Sequence, residues 1–418
     1  MLFKDFLLYI LTYIMSAKKS TKQSTKQVND IAEKYKKLTD HEHVLKKPGM
    51  YIGGTDTVST SMWIFDDETK LFKKKDIQYI PGLYKIFDEI IVNARDHIIR
   101  NPKTCAEIRV TIDEKSGFIS VWNDGPGIEV QIHPIEKVYI PEMILGQLRT
   151  SSNYDDDEKR IVGGTNGYGA KLVNIFSEEF QIETVDSNEK KHYKQTFKNN
   201  MYTRGEPEIK KSTDKSFTCI TFKPDYSKFK QKGLSSDMAA LFKKRVYDLA
   251  GCTPKKIKVS LNGKVLPINS FSDYIKLYYE SVPESLQFVE INDRWKIGLI
   301  FDSINGFNQI SFVNGILTYE GGTHVKYIMD MVSDQLLEII QKKKKGIKVK
   351  PDQIKSNITL FLDCCIENPG FNSQVKEKLT TKVADFGSRC EFPKDFITKF
   401  SKSGIIDEII SLVEFREN

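Results

Sequence analysis

The chain has 418 residues, of which 39% are hydrophobic and 28% charged. That is the composition of an ordinary soluble protein, long enough for two or three domains with real cores. Its net charge of +7 is not evenly spread: residues 342–356 hold seven Lys and one Asp, and residues 18–47 hold nine Lys and four acids. Two basic patches on an otherwise slightly acidic chain point to a polyanionic partner rather than a uniform attraction. The six cysteines (Cys105, Cys219, Cys252, Cys364, Cys365, Cys390) show no CxxC pairing. This speaks against a zinc site and for a reduced, intracellular, non-secreted protein, with Cys364 and Cys365 in a buried strand.

Residues 1–15, MLFKDFLLYILTYIM, are apolar but too short to span a bilayer. They fit a signal-peptide core, yet no small-residue cleavage site follows, and Met15 offers a second start; they read as an extension. Residues 16–29, rich in Ser, Thr, Lys and Gln, read as disordered, so residues 1–30 are set apart from the folded chain. Residues 31–54 predict a short amphipathic helix, a Pro-Gly turn and an extended Tyr51-Ile52-Gly53. His41 and His43 have no third ligand nearby and read as structural.

Residues 81–100, PGLYKIFDEIIVNARDHIIR, give the clearest helix, opened by Pro81-Gly82. Ile86, Ile90 and Ala94, with Phe87 and Ile91, form its buried stripe. Glu89, Asn93 and Asp96 fall at i, i+4 and i+7, on one face at the edge of that stripe. A carboxylate there can orient a water, and an amide oxygen four residues on can take a place on Mg²⁺.

Ile108, Val110 and Ile112 alternate as a strand, residues 114–117 turn, and Phe118–Trp122 returns. The hairpin ends in Asn123-Asp124-Gly125-Pro126-Gly127, either a tight turn or a loop that lets a planar ligand approach the backbone. A helix is predicted around Ile135–Leu148, then the polar stretch Thr150–Tyr154 and the acidic run Asp155–Glu158, a linker or a lid. Residues 163–171, GGTNGYGAK, follow directly. Four glycines in seven positions make a poor strand and a poor helix, and such a run serves either as a flexible turn or where backbone must come close to a ligand. Leu172, Val173, Ile175 and Phe176 have helical spacing, so the amides of the loop would open a helix and cradle an anion. The GxxxxGK[ST] order of a P-loop is absent.

Taken together, Glu89…Asn93, NDGPG, TSSNYDDDE and GGTNGYGAK, with IPGLYKIFDEIIVNA, resemble the ATPase region of the eukaryotic-type (type IIA) DNA topoisomerase II family, within the GHKL superfamily. The likeness runs from about Tyr35 to Phe415. It implies an α/β (α+β) fold: a GHKL (Bergerat) sandwich of a mixed sheet with helices on one face, over residues 31–255 with an N-terminal strap. A smaller α/β transducer would follow over residues 256–418. It also implies roles. Glu89 would be the general base, Asn93 the Mg²⁺ ligand, and Asn123 would contact the nucleoside of ATP. Ser151, Ser152 and Asn153 would cover ribose and phosphates. Gly164, Thr165, Asn166, Gly167, Tyr168, Gly169, Ala170 and Lys171 would wrap the triphosphate. Tyr35 would reach the nucleotide of a partner protomer.

In the second half, Phe217–Pro224 alternates as a strand and Ser235–Cys252 reads as a helix. Asn262-Gly263 between Lys256–Leu261 and Val265–Ile268 signals a hairpin. Strands near Arg294–Phe301 and Gln309–Val313 precede a long helix, about His324–Gln341. Lys342, Lys343, Lys344 and Lys345 then open a basic loop, which the resemblance places against double-stranded DNA; contact there would be with phosphates and sequence-independent. After an apolar strand, Asn357–Ile366, comes Gln374-Val375-Lys376, where the family has Gln-Thr-Lys. Gln374 and Lys376 keep the chemistry, with Lys376 reading the γ-phosphate, and Val375 loses a hydroxyl. An amphipathic helix, Gly404–Phe415, ends the sequence.

Nothing here resembles the family's cleavage core, neither a TOPRIM segment nor a winged-helix domain with its Tyr. The expectation is the ATP-hydrolysing N-gate of a topoisomerase, working where DNA is, in nucleus or cytoplasm. ATP would drive homodimerisation and capture of a duplex for strand passage by the complete isomerase. A MutL-like repair ATPase or a chaperone of the same superfamily is the alternative, and a non-enzymatic DNA-binding protein the more distant one.

Overall fold

The computed structural model describes residues 15, 34–35, 37–150, 159–164 and 167–417. They fall into two units, residues 1–46 and 47–418. In the first, helix α1 (Asp40–Lys46) opens on a reciprocal cap. Thr39 N donates to Glu42 Oε2 at 2.8 Å, and Glu42 N donates to Thr39 Oγ1 at 3.2 Å.

The second unit starts with a 3₁₀ turn, Pro48–Met50. Tyr51 and Ile52 continue it, both amides donating to Pro48 O at 2.9 Å. The extended segment expected at Tyr51-Ile52 is therefore a turn: Pro48 fixes its own φ at a helical value, and its carbonyl accepts from both amides. Strands β1 (Val58–Phe65) and β2 (Phe72–Tyr79) pair as an antiparallel hairpin. Helix α2 (Pro81–Arg100) has the predicted bounds and buries Ile86, Phe87, Ile90, Ile91 and Ala94.

A nine-stranded sheet forms the first layer. Its strands are β3 (Glu107–Ile112), β4 (Ile119–Asp124), β5 (Ser177–Asp186), β6 (Lys191–Lys198), β7 (Thr203–Arg204), β8 (Glu208–Lys211), β9 (Phe217–Pro224), β10 (Lys258–Leu261) and β11 (Lys264–Val265). Their order is β11-β10-β3-β4-β9-β5-β6-β7, with β8 also on β6; β10 runs parallel to β3 and the other pairs are antiparallel. Along β4, Ile119, Val121 and Asn123 are buried while Ser120, Trp122 and Asp124 are partly open, the alternation of a sheet covered on one face. Helix α2, with α3 (Ile140–Gly146), α4 (Gly169–Ile175) and α5 (Ser236–Cys252), supplies the cover. The helix expected over 135–148 shrinks to α3. Residues 133–138 turn instead, with His133 N donating to Val138 O at 2.8 Å, and Ile135 has no core to face at 78% exposure.

The second layer holds β12 (Gln287–Asn292), β13 (Trp295–Phe301), β14 (Asn308–Val313), β15 (Ile316–Leu317) and β16 (Ile358–Cys364), ordered β12-β13-β16-β14-β15. Helices α6 (Phe271–Lys276), α7 (Thr323–Lys343), α8 (Pro351–Lys355), α9 (Phe396–Phe400) and α10 (Ile405–Glu417) accompany it. Parallel pairing of β14 with β16 requires a crossover, and α7 lies in it. Every residue of β16 is buried, and the stripe Ile328, Val332, Leu336 and Ile340 of α7 packs with Trp295, Leu360 and Leu362. No helix among the described residues is long and apolar enough to cross a membrane.

Strands β10 and β11, which follow residue 255, complete the first sheet, and the sheets change over between Val265 and Gln287. One expectation on this half is revised. Lys342 and Lys343 lie in the last turn of α7 and Lys344 caps it, rather than opening a loop. Lysine is a good helix former, and its charge suits a helix C-terminus.

The layers are tied by buried charge. Arg245 of α5, fully buried, donates through Nε to Asp88 Oδ1 of α2 at 2.6 Å and through Nη2 to Gly315 O, in the β14–β15 turn, at 2.7 Å. Burial opposes its charge, but Asp88, Tyr84 and Asp248 together outweigh burial and raise its pKa. Asp88→Ala leaves that guanidinium buried and unpaired, and should destabilise the fold by about 3–5 kcal/mol in chemical denaturation. A loss below about 1 kcal/mol would show that the pair is dispensable.

Candidate functional site

Glu89, Asn93 and Asp96 all line one cavity of about 250 Å³ on the covered face of the first sheet. Its other walls are Val121 and Asn123 of β4, Thr218 and Ile220 of β9, and Gly164 with residues 167–171. Gln374 and Lys376 reach it from the second layer.

Glu89 is only 4% exposed. Lys85, one turn earlier, places Nζ 2.6 Å from Oε1, and Lys376 Nζ stands 4.0 Å away. Burial alone would push the carboxyl up; the two ammonium groups outweigh it and hold Glu89 at about 2. The Lys85 contact is close but not aligned as a hydrogen bond, so Oε1 keeps acceptor capacity. Oε2 faces the glycine loop: a Cβ on residue 169 would lie 2.1 Å from it. Glycine is needed there for closeness, not for a left-handed backbone.

Asp96 holds the loop down. Gly163 N donates to Oδ1 at 2.9 Å and Gly164 N to Oδ2 at 2.8 Å. Burial raises its pKa, and the two amides only partly offset that. Asn93, between the two acids, is exposed to the cavity, and a Cβ on Gly164 would stand 3.6 Å from its Oδ1.

Lys376 is buried with φ of 66° and donates to Gly163 O at 2.9 Å. Burial lowers its pKa, and Glu89 opposes the shift. Beside it, Val375 faces Gly53, whose added Cβ would meet Val375 Cγ2 at 3.3 Å; an apolar contact stands where the resemblance implied a hydroxyl. Lys171 lines the wall, but its Nζ donates to Thr150 O and Gly167 O, closing the loop on itself. Burial lowers its pKa to about 8.

Within Asn123–Gly127 only Asn123 reaches the cavity, its Nδ2 donating to Asp124 O at 3.0 Å. The two glycines serve packing instead. A Cβ on Gly125 would stand 2.3 Å from Cys105 Sγ, and one on Gly127 would stand 2.0 Å from Val185 O. Asp124 turns away and accepts from the amides of Ala106 and Glu107.

Among the polar lining residues, His97, Arg100 and Thr218 were not singled out from sequence. His97 and Arg100 extend the Glu89 stripe and could have been read from it; Thr218, opposite Asn123 on β9, could not, while Thr150 opens the polar stretch read as a linker or a lid. Ser151, Ser152, Asn153, Thr165 and Asn166 lie outside the described residues. Tyr35 belongs to the first unit and is 72% exposed. Of the basic run, Lys343 pairs with Asp407 and Lys344 with Glu414, both on α10, while Lys342 and Lys345 are exposed.

A family model described as histidine kinase-, DNA gyrase B-, and HSP90-like ATPase matches residues 79–227, and one described as DNA gyrase B matches residues 269–418. DNA topoisomerase 2-beta of Gallus gallus is 46% identical over 402 residues, covering 93% of this chain and 24% of its own length. DNA topoisomerase 2-alpha of Mus musculus is 45% identical over 393 residues, with 92% and 26% covered. The chain thus spans about a quarter of the length of these curated relatives. The ATPase region of Saccharomyces cerevisiae topoisomerase II superposes with a TM-score of 0.87 at 45% identity, over 92% of this chain and 100% of that one. The ATPase and transducer domains of the Balamuthia mandrillaris enzyme give 0.88 at 39% identity, over 92% and 98%. The cavity thus lies in a GHKL fold shared along nearly the whole of both solved chains, and the chain belongs to the DNA topoisomerase II family, whose ATPase region it matches.

Proposed function

We propose that the cavity takes ATP, with the base between Asn123 and Thr218 over Val121 and Ile220, and the phosphates against the glycine loop. The observation that carries this reading is the meeting of Glu89, the loop and Lys376 across the two layers, through Lys376 Nζ to Gly163 O. Phosphoryl transfer asks for positioning and charge neutralisation rather than covalent help. A carboxylate held at about 2 is ionised at any working pH and can orient a water by accepting its proton in a hydrogen bond. Lys376, freed from Gly163 O, has the charge to meet a terminal phosphate.

The residues fit a magnesium ion. Asn93 opens into the cavity, and one amide oxygen beside phosphate and water oxygens suits a cation that keeps most of its waters. When bound, the ion neutralises phosphate charge.

Beyond the single chain, ATP would hold two copies together, with Tyr35 reaching the partner's nucleotide, as the N-gate of a topoisomerase. The gate would capture a DNA duplex for a cleavage core with TOPRIM and winged-helix domains, wherever the cell keeps its DNA. The relatives favour this over a MutL-like repair ATPase or a chaperone.

Glu89→Gln keeps the shape and loses the base, so kcat should fall by about 10²–10⁴-fold while the dissociation constant of ATP is little changed. Unaltered turnover would remove Glu89 from that role. Lys85→Met should let burial dominate and raise the pKa of Glu89. Hydrolysis would then be lost as pH falls through the raised value, giving kcat an acid limb above about pH 5 that the wild type lacks. A wild-type pH profile in that variant would rule out Lys85 as the tuning charge.

DNA binding should weaken with salt, and Lys345→Ala should lower the slope of log K against log salt by about one. Lys344→Ala should lower it less, because Glu414 already offsets that charge. Equal slopes in all three proteins would place the DNA elsewhere.

A further inference from the structure

Asn314 sits at the β14–β15 turn with φ of 52° and no exposed surface. Its side chain is fully used. Nδ2 donates to Val162 O and to Ile366 O, each at 3.0 Å, and Oδ1 accepts from Ile366 N at 2.8 Å. Its own amide donates to Cys364 O at 2.9 Å. Val162 leads into the glycine loop, and Ile366 leads from β16 toward Lys376.

The same two segments meet on either side of this point. Outward, Asn368 N donates to Arg160 O at 2.9 Å and Arg160 N returns to Asn368 Oδ1 at 3.0 Å. Inward, Lys376 Nζ donates to Gly163 O at 2.9 Å. The inner link is a long side chain that also faces Glu89, and the outer one lies at the surface. Asn314 is the short, buried, fully bonded link between them. Moving Val162 without Ile366 would leave a buried amide or carbonyl unpaired, which is costly.

We infer that Asn314 is a positioning residue that makes residues 162–164 and the Lys376 segment move together, so that a displacement of Gly163 and Gly164 on binding a triphosphate is carried into the second layer. This rests on the ATP reading above. Aspartate is the discriminating replacement: it keeps the shape and the acceptor but turns a second acceptor toward two carbonyl groups.

The test is hydrogen exchange on the 418-residue chain with and without a non-hydrolysable ATP analogue. In the wild type, nucleotide should protect both 159–164 and 366–376. In Asn314→Asp, protection of 159–164 should remain and that of 366–376 should drop by about tenfold, with kcat falling and KM little changed. A merely structural role would not separate the two segments. Should that variant not fold, Asn314→Gly, which keeps the left-handed backbone and admits water, is read the same way. Protection spreading as in the wild type overturns the inference. Wild-type protection confined to 159–164 overturns it too, while no protection anywhere overturns the ATP reading and the inference with it.

Discussion

Five charged side chains of one helix lie out of water. Lys85, Asp88, Glu89, Arg95 and Asp96 of α2 are each no more than 5% exposed. A charge removed from solvent is tolerable only when met by an opposite charge or by hydrogen bonds, and the partners here come from every part of the unit. Lys85 meets Glu89 along the helix, and Lys376 approaches Glu89 from the second layer. Asp88 takes Arg245, Arg95 reaches Cys252 O, and Asp96 binds the two amides that begin the glycine loop. The helix thereby fixes loop, neighbouring helix and second layer with one set of requirements.

The same requirement shapes the electrostatics of the cavity. An ionised Glu89 sits against two ammonium groups, and backbone amides of the loop point at Asp96 rather than into solvent. Glu89 is oriented before any ligand arrives, so little reorganisation of the carboxylate is left for the reacting state, whereas Lys376 has first to leave Gly163 O. Apolar Val121 and Ile220, paired directly across adjacent strands, complete the wall on the other side.

How much of this could be read beforehand depended on sequence distance. Helix α2 and its Glu89–Asn93–Asp96 face follow from a 3.6-residue period, and β3–β4 from strict alternation and a turn; both are local. Asn123 was legible because it ends such a strand. What Asp96 holds was not, since Gly163 lies 67 residues further on and no periodicity links the two. Thr218 becomes a wall residue only through the register of β9 on β4. The need for glycine at positions 125 and 127 looked like room for a ligand and is room for Cys105 and Val185. Likewise β10 joins the first sheet by pairing with β3, about 150 residues earlier, which no local pattern could show. The basic run looked like free charge because Asp407 and Glu414 lie far along the sequence.

The contact between Gly169 and Glu89 has a genetic consequence. Any side chain at 169 would occupy the space of the carboxylate oxygen, so every missense change at that codon should act as a lesion in the acid itself. A suppressor of a change at 169 would then be sought at 89 or along the helix that sets their spacing.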